Sequence, residues 1–206
     1  MVWIKKLFKY LIKKRGETQF NKKIRLHLKQ KGKLNVGSGN LKFDQEWFSC
    51  DIKTLDITER TNWKRLLGPV RLNNIFAEHV WEHLTKEDVA LANSNCYEFL
   101  KKGGRLRIAV PDGFHPDEAY IDHVKPNGTG AGADDHKVLY NYRALRKMLE
   151  NEGFKTELLE YWDEEGKFHF REWSAGNGKV IRSRRFDQRN NNGKLNYTSL
   201  IIDAVK

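Results

Sequence analysis

Along residues 33–206, short apolar runs bounded by glycine, proline or polar residues alternate with segments whose apolar residues recur at helical spacing. The short runs predict strands, and the helical spacing predicts amphipathic helices. The predicted strands cover residues 33–36, 47–52, 55–57, 72–77, 106–110, 156–162 and 197–205. Strands that alternate with helices predict an α/β fold, with a mostly parallel sheet covered on both faces.

Two of the helices carry recognisable start signals. Thr85 is followed three positions later by Asp88, a capping-box pattern that predicts a helix running to about Lys101. Asn141 predicts the start of another helix, which ends at Gly153.

Two long segments, residues 111–138 and 163–194, lie outside this alternating pattern. Loops of such length are uncommon in compact domains unless they are functional. Both segments follow predicted strands, so we expect them to overhang the carboxyl ends of the sheet, where α/β folds bind ligands. The second segment is treated as an insert in the domain.

Residues 1–32 form a basic arm that precedes the domain of residues 33–206. Apolar residues recur in the arm at helical spacing with lysines between them, which predicts a basic amphipathic helix. The apolar positions are Trp3, Ile4, Leu7, Phe8, Leu11 and Ile12. Such a helix is compatible with packing on the domain, with an anionic membrane surface contacted through residues 1–15, or with RNA phosphates.

The net charge of +11 comes from this arm. Residues 1–33 hold 12 of the 38 Lys and Arg residues and one of the 27 acidic residues, which leaves 26 of each sign elsewhere. The charge therefore says little about the substrate of the domain. The sequence has two cysteines, Cys50 and Cys96, and no recognisable secretory signal, so we expect a cytoplasmic protein, peripheral to the inner membrane surface if the arm binds lipid.

The first predicted strand runs into a glycine turn at Gly37 and Gly39. Glycine permits a sharp turn and lets a ligand approach backbone N–H groups. The dinucleotide fingerprint would require a third glycine at the position of Lys42 and an acid about 20 residues further on. Instead, Asp51 follows Gly39 by 12 positions, at the end of the second predicted strand, where a carboxylate can accept both hydroxyls of a ribose.

These residues resemble those of class I S-adenosylmethionine-dependent methyltransferases. The resemblance is carried by residues 34–40 (LNVGSGN), Asp51, Asp56, residues 78–84 (EHVWEHL), residues 101–108 (KKGGRLRI) and residues 152–154 (EGF). It covers roughly residues 33–206 and is strongest to small predicted methyltransferases often found with polysaccharide biosynthesis. It implies a Rossmann-like, seven-stranded sheet and S-adenosylmethionine as cofactor.

The resemblance also implies roles for individual residues. Gly37 and Gly39 would lie under the methionine and ribose, Asp51 would bind the ribose hydroxyls, and Asp56 would face the adenine amino group. Glu78 and His79 would lie near the methionine end. The full predicted cofactor site is Val36, Gly37, Ser38, Gly39, Asn40, Asp51, Ile52, Asp56, Ile57, Glu78 and His79. The chain departs from the family at Asn35, where an acid is usual, and at Leu41, where a third glycine is usual.

Residues 79–83 also match the H-x-x-E-H pattern of a class of zinc proteases, in which two histidines bind zinc and the glutamate is the base. In those enzymes the motif lies within a long helix, whereas here it follows an apolar strand. Zinc proteolysis is therefore a minor alternative, and for His83 we predict local hydrogen bonding.

Methyl transfer to a hydroxyl requires a base, and a neutral histidine or a carboxylate suits that role. We predict His136 or His79 as the base and Asp112, just past a strand end, as an orienting or second residue. His115 is a weaker candidate. The loop of residues 111–138 also offers oxygen and nitrogen donors for a divalent metal, but their spacing matches no strict metal signature, so no metal site is predicted.

Aromatic residues and arginines in the insert, among them Phe168, Trp173 and Arg182, suit sugars, nucleotides, phosphates or stacked RNA bases. By family analogy, the predicted function is methyl transfer from S-adenosylmethionine to a hydroxyl of a glycan or nucleotide sugar. The alternatives are an RNA methyltransferase, a non-catalytic module that binds a membrane surface, and the zinc protease.

Overall fold

A computed structural model describes residues 19–39, 43–191 and 193–206. Residues 1–18 and Asn40 lie outside the described residues, so the predicted membrane or RNA contact through residues 1–15 stays a prediction. Within the described part, residues 19–31 are helical (α1) and bury Ile24 and Leu28 in the main core. No helix among the described residues is long and apolar enough to cross a membrane.

Seven strands form one sheet. They are β1 (Lys33–Val36), β2 (Phe48–Ser49), β3 (Leu72–Glu78), β4 (Leu100–Pro111), β5 (Lys155–Trp162), β6 (Phe168–Phe170) and β7 (Ser199–Val205). Their order is β2-β1-β3-β4-β7-β5-β6, with β1 to β4 parallel, β7 antiparallel to β4 and β5, and β6 antiparallel to β5. The predicted α/β, Rossmann-like seven-stranded sheet is confirmed.

Four further helices connect the strands: α2 (Arg60–Leu67), α3 (Lys86–Phe99), α4 (Glu118–Val124) and α5 (Tyr142–Asn151). The predicted caps are formed, because Thr85 Oγ1 accepts a hydrogen bond from Asp88 N at 3.2 Å and Asn141 Oδ1 accepts one from Ala144 N at 3.0 Å. Helix α3 ends at Phe99, before the predicted end, because Leu100 already pairs with β3.

The predicted strand over residues 55–57 is wrong. Leu55 and Ile57 are buried, but their segment forms turns. The carbonyl oxygen of Ile57 accepts hydrogen bonds from Trp63 Nε1 and Asn95 Nδ2, both at 2.9 Å, and is therefore occupied by side chains of α2 and α3. The seventh strand is instead β6, which belongs to the insert.

The two faces of the sheet are covered differently. Helices α1, α2, α3 and α5 contribute to the larger core, while the other face carries a smaller one built on Phe76, Ala109 and Ile201. The insert covers this second face with Val180 and Trp173. The prediction that residues 163–194 form an overhanging ligand loop therefore needs correction, because part of the segment is the cover of the sheet.

A buried ion pair anchors the insert to the sheet. Arg107 on β4 donates to both carboxylate oxygens of Asp203 on β7, at 2.7 and 2.8 Å, and each of these two residues is 1% exposed. The remaining nitrogen of the guanidinium, Nη1, donates to the carbonyl oxygens of Ser174 and Gly178, both at 2.8 Å. The guanidinium of Arg107 thus gives the insert carbonyl of Gly178 a donor and gives that of Ser174 a second donor beside Asn177 N.

Candidate functional site

The described residues form a cleft at the carboxyl ends of β1 and β3. Strand β1 lies between β2, which follows it in the chain, and β3, which pairs with its other edge. The order in which strands are added to the sheet therefore reverses at β1. Open α/β sheets bind ligands at such switch points. The cleft measures about 430 Å³ and is lined by Gly37, Asp51, Ile52, Leu55, Asp56, Ile57, His79, Val80, His83, Leu84 and Asp135.

The glycine turn forms the floor of this cleft. Gly37 has φ +61°, and a Cβ atom there would lie 2.4 Å from Val80 Cγ2, so a side chain would be both strained and in collision. Ser38 N donates to Cys50 O at 3.0 Å, which ties the turn to the segment after β2. Asn35, where the family has an acid, donates to Ser49 Oγ at 3.2 Å. The turn is therefore a backbone cradle that only glycine permits.

Two carboxylates project from one wall of the cleft in fixed orientations. Asp51 Oδ1 accepts a hydrogen bond from Ile52 N at 2.7 Å. Asp56 Oδ1 accepts from Thr58 N at 3.0 Å and from Thr58 Oγ1 at 2.7 Å. Since carboxylates are acceptors only, this wall suits a ligand that presents hydroxyl or amino donors.

Apolar side chains lie between the carboxylates and the opposite wall. Ile52 is 67% exposed at the rim, whereas Leu55 and Ile57 are buried. Val80 and Leu84 line the opposite side. An apolar slot with a few placed polar groups is the usual form of a small-molecule site.

His79 lies at the end of β3 with φ +56°. This left-handed conformation is uncommon for residues other than glycine and is often found at functional sites. Its N–H donates to Ala109 O at 2.8 Å. Its ring Nε2 lies 3.0 Å from Ser199 Oγ, and its Nδ1 lies 3.2 Å from Glu82 Oε1. The ring is thus held between a hydroxyl and a buried carboxylate.

Glu78 does not line the cleft. Its carboxylate accepts hydrogen bonds from Ile181 N at 3.0 Å and Arg182 N at 2.8 Å, both in the insert. The structure therefore gives Glu78 the role of anchoring the insert, and its predicted contact with the cofactor stays a prediction. Val36 is buried in the core below the turn, and neither Ser38 nor Gly39 is among the lining residues.

The prediction that Asp112 points into the crevice is wrong. The residue is fully buried, and its two oxygens accept hydrogen bonds from Phe114 N at 3.0 Å and Trp162 N at 2.8 Å. Burial raises the pKa of Asp112 to about 7, although these two amides oppose the rise. Asp112 therefore joins the start of the loop 111–138 to β5 and does not contact the cleft.

This buried carboxyl makes stability depend on pH. The folded pKa of about 7 lies above the unfolded value of 3.8, so the contribution of protonated Asp112 is complete below about pH 3.8 and is lost as the pH rises through 7. We expect Asp112→Asn to flatten the fall in the free energy of unfolding over that range, as measured by urea unfolding. Asp122→Asn, at an exposed position, is the control, and parallel curves for Asp112→Asn and the unsubstituted chain would contradict the assignment.

His115 also lies away from the cleft. Its Nδ1 accepts a hydrogen bond from Asp117 N at 3.2 Å, and its ring stacks on Tyr120 with 3.9 Å between centroids. Burial lowers the pKa of His115. These contacts favour a packing role for a neutral ring.

His136 contacts the cleft indirectly. Its Nδ1 lies 2.7 Å from Val124 O, and its ring makes an edge contact with His83, with 4.7 Å between centroids. His83 and Asp135 line the cleft. Of the four predicted catalytic residues, His79 is therefore the one that the structure places in the cleft wall.

The motif of residues 79–83 does not have the arrangement of a zinc protease. Trp81–His83 form a single 3-10 turn, and His79 precedes it and turns toward Ser199, whereas His83 turns toward His136. The two histidines do not share one helical face. Glu82, which sequence reasoning considered only as a protease base, is 1% exposed and lies near His79, His83 and His136. The sequence feature that could have pointed to Glu82 is the position of this acidic residue among apolar ones.

No family model and no curated protein matches the chain. Solved structures that are similar to it include an S-adenosylmethionine-dependent methyltransferase from Archaeoglobus fulgidus, with TM-score 0.49 and 20% identity, covering 92% of this chain and 94% of that one. Another is magnesium protoporphyrin IX methyltransferase from Synechocystis PCC 6803, with TM-score 0.42 and 11% identity, covering 93% and 84%. At such identities and TM-scores the likeness carries no conclusion about the ligand, which has to be inferred from the residues of the cleft.

Proposed function

We propose that this chain binds S-adenosylmethionine in the cleft and transfers its methyl group to a hydroxyl of a sugar or glycan. The observation that carries the proposal is the combination, at the switch point, of a turn restricted to glycine with two oriented carboxylates on one wall. Gly37 would present its backbone to the ligand, Asp51 would accept hydrogen bonds from the ribose hydroxyls, and Asp56 would accept one from the adenine amino group. The adenine ring would occupy the apolar slot beside Ile52.

When bound, S-adenosylmethionine supplies a methyl group on a sulfonium, which an acceptor oxygen displaces in line as the carbon–sulfur bond breaks. The protein then has to position the two reactants and remove the proton of the acceptor hydroxyl. His79 suits the second task because it lies in the cleft wall with Nδ1 3.2 Å from the buried carboxylate of Glu82, and Nε2 would exchange its contact with Ser199 Oγ for the acceptor hydroxyl. A carboxylate at that distance stabilises the imidazolium that proton transfer produces.

The acceptor class is supported by a second hollow, of about 380 Å³, beyond Tyr197. Tyr197 stacks beside His79, and the guanidinium of Arg189 lies over the Tyr197 ring, 3.4 Å from its centroid. The hollow is lined by Ile181, Arg182, Phe186, Asp187, Gln188 and Arg189. Guanidinium and carboxylate groups beside aromatic rings suit hydroxyl-rich or phosphorylated sugars.

Calorimetric titration with S-adenosylmethionine and S-adenosylhomocysteine tests the cofactor, with NAD as the control. We expect Asp51→Asn to weaken S-adenosylmethionine binding about 10- to 100-fold, because charge-assisted hydrogen bonds contribute about 1.5–3 kcal/mol. Asp122→Asn, at a carboxylate away from the cleft, should leave the affinity unchanged. Equal affinities of Asp51→Asn and the unsubstituted chain would remove the ribose role, and no binding of either ligand would remove the cofactor.

A further inference from the structure

The carboxylate of Glu82 is buried without compensation. The residue is 1% exposed, and among the described residues neither of its side-chain oxygens has a hydrogen-bond partner. The Nδ1 of His79 lies 3.2 Å from Oε1 but lacks hydrogen-bond geometry. An ionised carboxylate in the interior is costly unless it is paired or coordinates a metal.

Two histidines complete a cluster around this carboxylate. Lys137 N donates to Glu82 O at 2.7 Å, which holds the loop 111–138 against the turn after β3 and brings His136 beside Glu82. The Nδ1 of His83 is also buried, and its contact with Asp135 Oδ2 at 3.4 Å lacks hydrogen-bond geometry. One ligand atom from each of Glu82, His83 and His136 lies within 4.8 Å of the others.

The orientation of His136 is that of a ligand. A carbonyl oxygen only accepts, so the contact of Nδ1 with Val124 O at 2.7 Å places the proton on Nδ1 and leaves the lone pair on Nε2. Histidines that bind metals usually donate their other ring N–H to a carbonyl or carboxylate in this way. The contact therefore fixes the tautomer that metal binding requires.

We propose that Glu82, His83 and His136 bind a divalent transition-metal ion, and that zinc is the ion their chemistry favours. Two imidazoles and one carboxylate form the donor set of a zinc site that keeps its fourth position open. Donors on one zinc ion lie about 3.3 Å apart in tetrahedral geometry, so side-chain rotations that draw the three groups together would complete the site. This set replaces His79 of the protease pattern with His136, which is distant in sequence.

The metal site would form part of the cleft wall, because His83 lines the cleft. If the proposed methyl transfer is correct, on which this step rests, the open position would receive the acceptor hydroxyl. A hydroxyl bound to zinc ionises far more readily than a free one. The bond between zinc and the acceptor oxygen would then both hold the acceptor in place and ease the loss of its hydroxyl proton.

Calorimetric titration of chelator-treated full chain with ZnCl₂, with MgCl₂ as a comparison, tests the site. We expect one zinc ion per chain and no comparable magnesium binding. Glu82→Gln and His136→Ala should each weaken zinc binding by at least about 100-fold, since even the loss of a group that only hydrogen-bonds a ligand costs about 10- to 100-fold. His123→Ala, at an exposed histidine of the same loop, is the matched control and should bind zinc like the unsubstituted chain.

Circular dichroism verifies the fold of each variant, and His136→Ala decides the question if Glu82→Gln fails to fold. The Co²⁺ absorption spectrum gives an independent readout, because a tetrahedral site has intense visible bands that His136→Ala should abolish. Absence of zinc binding, or equal binding by His136→Ala and the unsubstituted chain, would overturn the site. Zinc binding without S-adenosylmethionine binding would retain the metal site and remove the proposed function. S-adenosylmethionine binding without zinc binding would remove the metal site and retain the proposed function.

Discussion

Replacing His79 with asparagine is expected to lower the rate of methyl transfer by about 10²- to 10⁴-fold, the range that a positioned general base contributes. His79 is the predicted catalytic residue in the cleft wall, and its ring lies between Ser199 Oγ and Glu82 Oε1. Asparagine cannot accept the proton of the acceptor hydroxyl. It does, however, tolerate the left-handed backbone, which here has φ +56°, better than most residues.

Asparagine therefore removes the proton acceptor while it tolerates the backbone conformation at this position. Turnover is measured as transfer of labelled methyl from S-adenosylmethionine to an acceptor found by screening sugars, nucleotide sugars and glycans. His123→Asn, at an exposed position of the loop 111–138, controls for the loss of a histidine as such. If His79→Asn binds S-adenosylmethionine normally and keeps its kcat, His79 is not the base.

Arg107→Met is expected to lower the free energy of unfolding by about 3–5 kcal/mol, the cost of removing one partner of a buried ion pair. The substitution would leave Asp203, which is 1% exposed, with Arg105 as its remaining cationic partner among the described residues. It would also remove a donor from the carbonyl oxygens of Ser174 and Gly178. Because these carbonyls belong to the insert, the insert should lose protection from hydrogen exchange before the helices of the other face.

Urea unfolding followed by circular dichroism measures this effect. Arg171→Met is the matched control, because Arg171 pairs with Glu157 on the same sheet but is 56% exposed. Exposed pairs contribute about 0–1 kcal/mol, so the control should stay close to the unsubstituted chain. Similar stabilities of Arg107→Met and Arg171→Met would show that the Arg107–Asp203 pair does not anchor the insert.

Part of the cleft could be predicted from the sequence, because the glycine turn, Asp51 and His79 follow recognisable strands. The turn at Gly37 follows an apolar run directly, and Asp51 follows the next, so the parallel order of β1 and β2 brings them to one edge. The segment of residues 55–57 shows the limit of this reasoning. A short apolar run reads alike in a strand and in a buried turn, and the difference lies in which distant groups, here Trp63 and Asn95, occupy its carbonyls.

The directions in which the candidate catalytic side chains point could not be predicted from the sequence, for a related reason. Asp112 and His79 both follow strand ends in sequence, yet Asp112 turns inward to the amides of Phe114 and Trp162, whereas His79 stays at the cleft. Strand alternation does not extend past the last paired residue, so local backbone geometry decides the direction of each side chain. Glu78 is still paired with Ala109, so alternation along β3 puts it on the face of Phe76, which the insert covers.

By itself, the sequence of this protein determined the alternation of strands and helices, the helix caps at Thr85 and Asn141, and the glycine turn with its two acids. These features depend on residues close together in the chain. Tertiary structure alone decided that the insert covers one face of the sheet and that Glu82 meets His136. Both depend on contacts between segments far apart in sequence, whose pairing follows from the burial of charge and apolar surface in the whole fold and not from any local pattern.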